Sequence, residues 1–389
     1  MSILTQKNFT FTSCKYHFHS PFADMKIEDL ALTLLPGLGT RSITQLLAYF
    51  GSATTLFARS RAELAELGLA EGVITAVISK QTFAEAEDIM RRMEREGVQG
   101  VASTDENYPT LLRECDDYPH ILYYKGNIAP LSGRTLSVVG TRTMTPYGGR
   151  MTNRLVADLA EMVPDLSVVS GLAFGVDGEA HLSAIGAGLH TVAVLPSPVT
   201  SVTPRTHQKL AESILSSGGA LVSEYRSGVV GKGTFYIPRN RIIAGVSQGT
   251  LVVESPAKGG SLHTAEMAYG YNRTVMALPG RVGDRSSEGA NQLIASRRAA
   301  MVCSAADVVR EVGWNVEERA VVVAASEDSL GLSEGEMHLL GCFGEGETLA
   351  VDTLVERSGM SIASINALLV GLDIAGVVRQ LPGGRYEKV

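Results

Sequence analysis

Residues 135–162 read TLSVVGTRTMTPYGGRMTNRLVADLAEM. The opening "TLSVVG" is a short apolar run that ends on glycine. From residue 145 to residue 162 the apolar positions recur at helical spacing, and Thr145-Pro146 suits the cap and first position of that helix. A buried strand thus passes through a glycine loop into an amphipathic helix. The unit repeats downstream, where "LSVVS", "TVAVLP", "ALVSEY", "TLVVES" and "TVMALP" are further short runs rich in Val and Leu. Amphipathic segments at 176–186, 205–215, 240–244 and 261–269 lie between them. Short apolar strands alternating with helices predict a parallel sheet covered on both faces. The expectation is a doubly wound, Rossmann-like α/β domain over residues 129–312.

The flanks have a different pattern. In "IEDLALTLL", "SITQLLAYF", "RAELAEL" and "FAEAEDIMRRMEREG" apolar residues recur every three or four positions, so residues 25–128 are expected to form a helical domain. Between the first two helices lies "PGLGTRS", where Gly37 and Gly39 permit a tight turn and Thr40 or Ser42 can cap the next helix. This is the helix-hairpin-helix pattern of SAM-like domains, whose hairpin amides can meet a phosphate. It is equally a glycine-rich connector between packed helices, since Arg41 is its one basic residue. Residues 1–24 read as a flexible extension, with Met25 as a possible internal start. His17 and His19 have no third metal ligand nearby. Residues 313–331 read as a charged linker. Residues 332–389 show three helical patterns and then a Pro-Gly-Gly turn between short strands, which predicts a winged helix. Ser361 would open its recognition helix. No Lys or Arg follows before Asp373, which favours packing or protein contact over groove reading; Arg379, Arg385 and Lys388 at the wing keep DNA contact open.

A chain of 389 residues is long enough for two or three such domains. With 45% hydrophobic and 19% charged residues it has the balance of a soluble globular protein. It contains no apolar run long enough to span a bilayer and no evident export signal, so a cytoplasmic location and no membrane partner are expected. Cys14, Cys115, Cys303 and Cys342 are scattered without ligand spacing, which argues against structural zinc. The formal net charge of −7 counts against broad, nonspecific affinity for nucleic acid. Its distribution is more informative. Residues 126–157 contain no acid but four arginines, at 134, 142, 150 and 154. Residues 226–253 again contain no acid, and hold Arg226, Lys232, Arg239 and Arg241.

In a doubly wound sheet, ligands sit beyond the carboxyl ends of the strands. Three informative loops fall there. "VGTRTMTPYGG" offers Gly140, Thr141 and Arg142 before a helix start. "SGLAFGVDGEAH" offers a small turn at Ser170, Gly171 and Gly175. "PAKGGSLHTAEMA" opens a helix at Gly260 and Ser261 beside Lys258. None matches G-x-G-x-x-G or the Walker pattern, so no dinucleotide, ATP or other cofactor is expected. Several separate anion-friendly helix starts on one edge suit a row of phosphates. "FYIPRNRIIAG", residues 235–245, adds stacking faces at Phe235 and Tyr236 with Arg239, Asn240 and Arg241 behind them, and Lys232 just upstream. Stacking requires unpaired bases, so the combination points to single-stranded nucleic acid. The competing role for such aromatics is to staple the helix to the core. Asp177, Glu179 and His181, and Glu254, His263 and Glu266, form two titratable clusters without a nucleophile or metal-ligand set. No catalytic residue is therefore assigned. Asp177 is read as a cap or loop anchor, and His181 as a hydrogen-bonded packing residue.

The ordered set "VGTR", "SGLAFGVD", "SEY", "PRNRIIAG", "LVVES", "KGGSLHTAE" and "LPGRVGDRSSEGANQLI" resembles the DNA-processing protein A family, DprA or Smf. The resemblance spans the Rossmann-like domain, about half the chain, and that family also has a helical N-terminal and a winged-helix C-terminal domain. It implies a non-enzymatic, single-stranded DNA-binding protein that protects incoming DNA in natural transformation, loads the RecA recombinase and acts as a dimer. It further implies a DNA pocket built from Arg142, Ser170, Gly171, the basic-aromatic run before "RNR", Gly260 and Ser261. Three departures stand out. Phe174 occupies a position where the family commonly has arginine. "TFYIPRNR" replaces the usual "NFPxRNR", leaving Phe235 and Tyr236 as alternative stackers. "PSPVTSVTPR" replaces a glycine-rich turn. An alternative resemblance links "GGSLHTAE" to the GGxGTxxE loop of nucleoside-phosphate hydrolases of the lysine-decarboxylase-like Rossmann fold. The glycine before Thr264 is missing, and that pattern leaves "PRNRIIAG" unexplained.

Overall fold

The computed structural model describes residues 25–315, 333–344, 347–374, 377–381 and 384–388. The extension 1–24 with its two histidines, linker residues 316–331, and Pro382 and Gly383 of the expected wing turn lie outside the described residues. The chain divides into two compact units, Met1–Asn315 and Val316–Val389.

The first unit begins with six helices: α1 (Ile27–Thr33), α2 (Thr40–Phe50), α3 (Ala53–Phe57), α4 (Arg61–Glu66), α5 (Glu71–Ile78) and α6 (Phe83–Glu96). In α6 the helical spacing buries Ala86, Ile89 and Met93, and Gly97 ends the helix in the left-handed region. The turn between α1 and α2 differs in detail from its expected form. Gly39 takes the cap position in an extended conformation, and no side chain caps α2. Thr40 is already the first helical residue, so neither it nor Ser42 performs the capping role.

Nine strands follow in one sheet: β1 (Gln99–Ala102), β2 (Ile121–Gly126), β3 (Thr135–Val139), β4 (Ser167–Ser170), β5 (His190–Val194), β6 (Ala220–Ser223), β7 (Gly249–Val252), β8 (Thr274–Ala277) and β9 (Ala300–Met301). Their order is β1-β2-β6-β5-β4-β3-β7-β8-β9. From β6 through β9 all neighbours are parallel. β1 and β2 lie antiparallel at one edge. Residues 99–126 thus contribute strands to the sheet, whereas the sequence pattern places them in the helical part. Antiparallel strands need no crossover helix, so the strand–helix alternation that reveals the other strands is absent here.

The connecting helices are α7 (Thr110–Arg113), α8 (Pro146–Met162), α9 (Val176–Gly186), α10 (Gln208–Ser216), α11 (Tyr236–Gly245), α12 (Gly260–Gly270), α13 (Glu288–Ala295) and α14 (Ala305–Val312). Ile242, Ile243, Ala265, Ala268 and Ala290 of α11–α13 pack on Val139, Val169, Val192, Val252 and Val275 of the sheet. The opening helices share a second core with Ala193, Leu195, Ile214 and Leu221. A buried polar chain fastens them further. His120 before β2 bonds Ser103 through Nδ1 at 2.8 Å and Asp29 of α1 through Nε2 at 3.1 Å. No described helix is long and apolar enough to cross a membrane.

From β3 the chain adds β4, β5 and β6 outward, then returns to place β7 on the other side of β3. The winding reverses there, and the connections leaving β3 and β7 diverge to open a crevice at their carboxyl ends.

The second unit contains α15 (Glu334–Leu340), β10 (Thr348–Ala350), α16 (Val351–Ser358), α17 (Ile362–Ile374), β11 (Val378–Leu381) and β12 (Arg385–Lys388). Its strands pair antiparallel in the order β10-β12-β11. Leu339, Phe343, Leu354, Ile365, Leu369 and Val378 form its core. This is a winged helix. Ser361 opens α17 as expected, its hydroxyl accepting from the Ser364 amide at 3.2 Å, and α17 carries no basic residue.

Candidate nucleic-acid interface

The crevice at the switch point encloses about 260 Å³. Four segments line it: residues 139–142 at the end of β3, Ala173 and Asp177 after β4, Tyr236, Ile237, Arg239, Asn240 and Ile243 of α11, and Pro256, Gly259, Gly260, Ser261 and Thr264 after β7. Close backbone packing fixes these walls. A Cβ at Gly140 would lie 2.5 Å from Val176 Cγ2 and 2.9 Å from the Glu254 carbonyl oxygen. The next amide, Thr141, donates to that carbonyl at 2.7 Å. Gly175 has φ +74, and a Cβ there would lie 2.2 Å from the Thr141 carbonyl. Glycine is required at both positions.

Glu254 is nearly inaccessible, and its role was not legible in the sequence. Its carboxylate accepts from the Thr145 amide at 2.9 Å and from the Thr145 hydroxyl. That hydroxyl in turn accepts from the Gly148 amide at 3.2 Å. The acid therefore clasps the end of β7 to the cap of α8, where a negative charge also suits the helix dipole. A buried acid just past a strand was the available signal; its partner lies 109 residues away.

Of the fourteen residues expected to touch DNA, eight line the crevice: Gly140, Thr141, Arg142, Tyr236, Arg239, Asn240, Gly260 and Ser261. Arg142 is exposed, and its guanidinium lies 4.8 Å from the centre of the Tyr236 ring. A cation over an aromatic face is an attractive pair that still leaves its donors for an anion. α12 begins at Gly260, where an added Cβ would meet no atom within 4 Å, so the helix start is open. The Leu262 amide turns back to the Gly259 carbonyl at 3.2 Å, whereas the Gly260 and Ser261 amides ahead of it have no intrahelical acceptor. Ser261 is buried, and its hydroxyl donates to Ser255 at 2.9 Å.

The other six lie elsewhere. Phe235 precedes α11 in a short 3-10 turn and stacks on Tyr225, with ring centres 4.1 Å apart and planes at 11°. Its ring is paired with half-buried Tyr225 outside the crevice, and Tyr236 is the aromatic that lines it. Ser170 is buried beneath the floor, its hydroxyl donating to the Val138 carbonyl at 2.7 Å. The Gly171 amide donates to Asp177 at 3.2 Å, and its carbonyl accepts from Arg239 at 2.8 Å. Lys232 and Lys258 are exposed and make no ion pair among the described residues. Arg241 is buried on another side of α11, with Nη2 2.6 Å from Glu224 and Nε 3.9 Å from Asp117.

Arg239 lines the crevice from within. Only 3% exposed, it donates to the carbonyls of Gly171 and Val194, and its Nε bonds Asn240 at 3.1 Å. Burial pulls its pKa down to about 10, against the opposing pull of Asp177. Burial also raises the Asp177 carboxyl above its ordinary value, with Arg239 acting in the opposite sense. Burial raises Glu224 likewise, opposed by Arg241.

His181 faces away from solvent. The Thr191 hydroxyl donates to the Val168 carbonyl at 2.8 Å, so the 2.7 Å contact between that hydroxyl and His181 Nδ1 uses the histidine proton. Nε2 then carries no proton, and it has no hydrogen-bond partner among the described residues. Burial, with His207 and Arg239 adding to it, takes the pKa of His181 down to about 3. Asp177 anchors the 171–177 turn, as its position suggests.

A doubly wound sheet with a cationic, aromatic crevice at its switch point, joined in sequence to a winged helix, defines a class of DNA-handling protein. The family model described as DNA recombination-mediator protein A matches residues 99–313, and that of the DprA winged helix domain matches residues 323–384. Protein Smf of Escherichia coli is 34% identical over 287 residues, 73% of this chain and 76% of that protein. DNA processing protein DprA of Streptococcus pneumoniae is 35% identical over 207 residues, 53% of this chain and 72% of that protein. The X-ray structure of the Streptococcus pneumoniae DprA matches with a TM-score of 0.64 and 28% identity, over 74% of this chain and 98% of that one. The chain belongs to the DNA recombination-mediator protein A family, the DprA or Smf proteins.

Proposed function

We propose that this protein binds single-stranded DNA in the switch-point crevice and works by binding rather than by catalysis. In this reading it protects DNA entering the cell in natural transformation and loads the RecA recombinase onto the strand, as a homodimer in the cytoplasm. One observation carries the binding mode: Arg142 lies over Tyr236 at a crevice that also contains the open start of α12. An unpaired base can stack there while its phosphates meet the arginine and the helix amides. Duplex DNA keeps its bases stacked on one another and cannot use the ring. The non-catalytic reading is supported by the state of the nearby titratable groups, since Glu254 and Asp177 are held by backbone donors and His181 is enclosed.

The test is titration of a labelled oligo-dT strand and a duplex of equal length over a salt series. Strong single-strand preference is expected, with log affinity falling about 0.7 per phosphate contacted for each decade of salt. Arg142→Ala should weaken single-strand binding about tenfold and leave the unfolding midpoint unchanged. Equal affinity for duplex, or full affinity in Arg142→Ala, refutes this site. Release of free base from nucleoside monophosphates would instead support the hydrolase. RecA loading is checked by whether the protein speeds RecA filament growth on a strand already coated by a single-strand-binding protein.

A further inference from the structure

Phe174 is a large apolar side chain left 47% exposed, next to a residue that lines the crevice. A lone exposed phenylalanine is ordinary. The backbone that presents this one is not. Leu172, two residues earlier, has φ +56, a conformation unfavourable for a bulky residue. The turn is held there from both ends. The Ala173 carbonyl accepts from the Gly178 amide at 3.1 Å, and the Val176 amide donates to the Thr141 carbonyl at 3.2 Å. His207 then fixes the outer side, its Nδ1 proton going to the Leu172 carbonyl at 2.9 Å. The His207 ring meets Phe174 edge to face, with centres 4.9 Å apart at 70°. A strained, fully tied turn therefore holds an aromatic ring in solvent, one residue from the backbone that packs on Thr141 and Arg142.

We infer that Phe174 is a second stacking platform, receiving an unpaired base from the strand whose neighbouring base occupies Tyr236. The occupant is a nucleobase, because cations and amides cluster on this edge for its phosphates while the ring itself is uncharged. This inference rests on the crevice being the single-strand site. It gives the 171–177 turn a contacting role that neither Ser170 nor Gly171, both engaged beneath the floor, can fill.

The experiment pairs Phe174→Ala with Phe174→Trp in the full-length chain. Trp314 is the one native tryptophan; it is buried and bonds Gln248 at 2.8 Å. A tryptophan at 174 therefore supplies the exposed fluorophore. Adding oligo-dT should quench it while affinity is kept. Phe174→Ala should lose about tenfold in affinity on oligo-dT, and much less on a strand of equal length and charge that carries abasic positions across the site. The inference is overturned if Phe174→Ala binds like the parent, if its penalty is the same on the abasic strand, or if it changes only the oligomeric state. Arg142→Ala separates the two readings. If Arg142→Ala weakens binding and Phe174→Ala does not, the second platform alone fails. If neither does, or the parent shows no single-strand preference, the crevice reading fails with it.

Discussion

The loop after β3 and the entrance of α11 both bring arginines to the switch point, and they use them in opposite ways. Arg142 projects from a loop and stays in solvent with the Tyr236 ring beside it. Arg239 and Arg241 lie two residues apart on a helix, a spacing that sends their side chains to different sides. One is enclosed by the ends of β4 and β5, the other by Glu224 and Asp117. In sequence all three are arginines in acid-free stretches. In the folded chain the loop arginine is available to a ligand, and the helical pair sets where Tyr236 and Asn240 stand. A cluster of like charges can therefore be part contact and part scaffold, with burial deciding the share.

The largest effect that would break this comparison is Arg241→Ala. It leaves Glu224 enclosed with no cation, a situation that costs about 3–5 kcal/mol. Urea unfolding should show a loss of that order, while folded protein keeps oligo-dT affinity within about threefold. Adding Glu224→Gln should recover part of the stability, because the uncompensated charge is removed. Normal stability with poor DNA binding would place Arg241 among the contacting residues instead.

The interior should also reveal itself through pH. His181 has a folded pKa of about 3, below its ordinary value near 6.5. Between those values the unfolded chain takes up a proton that the folded chain refuses. Stability from this residue is thus complete above about pH 6.5 and declines as pH falls toward 3, at up to about 1.4 kcal/mol per pH unit. His190, also lowered by burial, adds in the same direction. His181→Gln should reduce the slope of stability against pH by close to one proton over this window, read from urea midpoints at several pH values. An unchanged slope would mean that the ring is reached by water.

What could be read from sequence follows from how local each signal is. α9 occupies 176–186 as its periodicity predicts, and Thr145 caps α8 because cap and first turn lie within four residues. The crevice loops were legible because a doubly wound sheet gathers them at one edge whatever the side chains. The roles of the arginines were not, since the Arg241 partners are brought by β6 and by the segment before β2. Nor could sequence choose between Phe235 and Tyr236. Adjacent residues at a helix entrance point in different directions, and the Phe235 ring pairs with Tyr225 while Tyr236 lines the crevice.

That assignment predicts a contrast between neighbours. Tyr236→Ala should weaken oligo-dT binding about five- to hundredfold, the range for one lost base stack, with little change in unfolding. Phe235→Ala should lower stability through the lost ring pair, by about 1 kcal/mol or more, and alter affinity less. Tyr236→Phe keeps the stacking face and should bind nearly as the parent does. Reversed outcomes for the two alanine variants, measured by anisotropy and by thermal unfolding, would exchange the two roles.

The smallest effect tests how far the exposed rim extends. Lys258 sits two residues before α12 and, like Lys232, has no ion pair among the described residues. A lysine that meets one phosphate adds about 0.7 to the salt slope of single-strand binding. Lys258→Ala should lower the slope by that amount and cost only about threefold in affinity, equally for every base sequence. Arg241→Ala should leave the slope unchanged, because an arginine engaged by Glu224 displaces no counterion from DNA. If Lys258→Ala keeps the parental slope while Arg142→Ala reduces it, the phosphate path ends at the β3 loop and the α12 start meets the base or sugar instead.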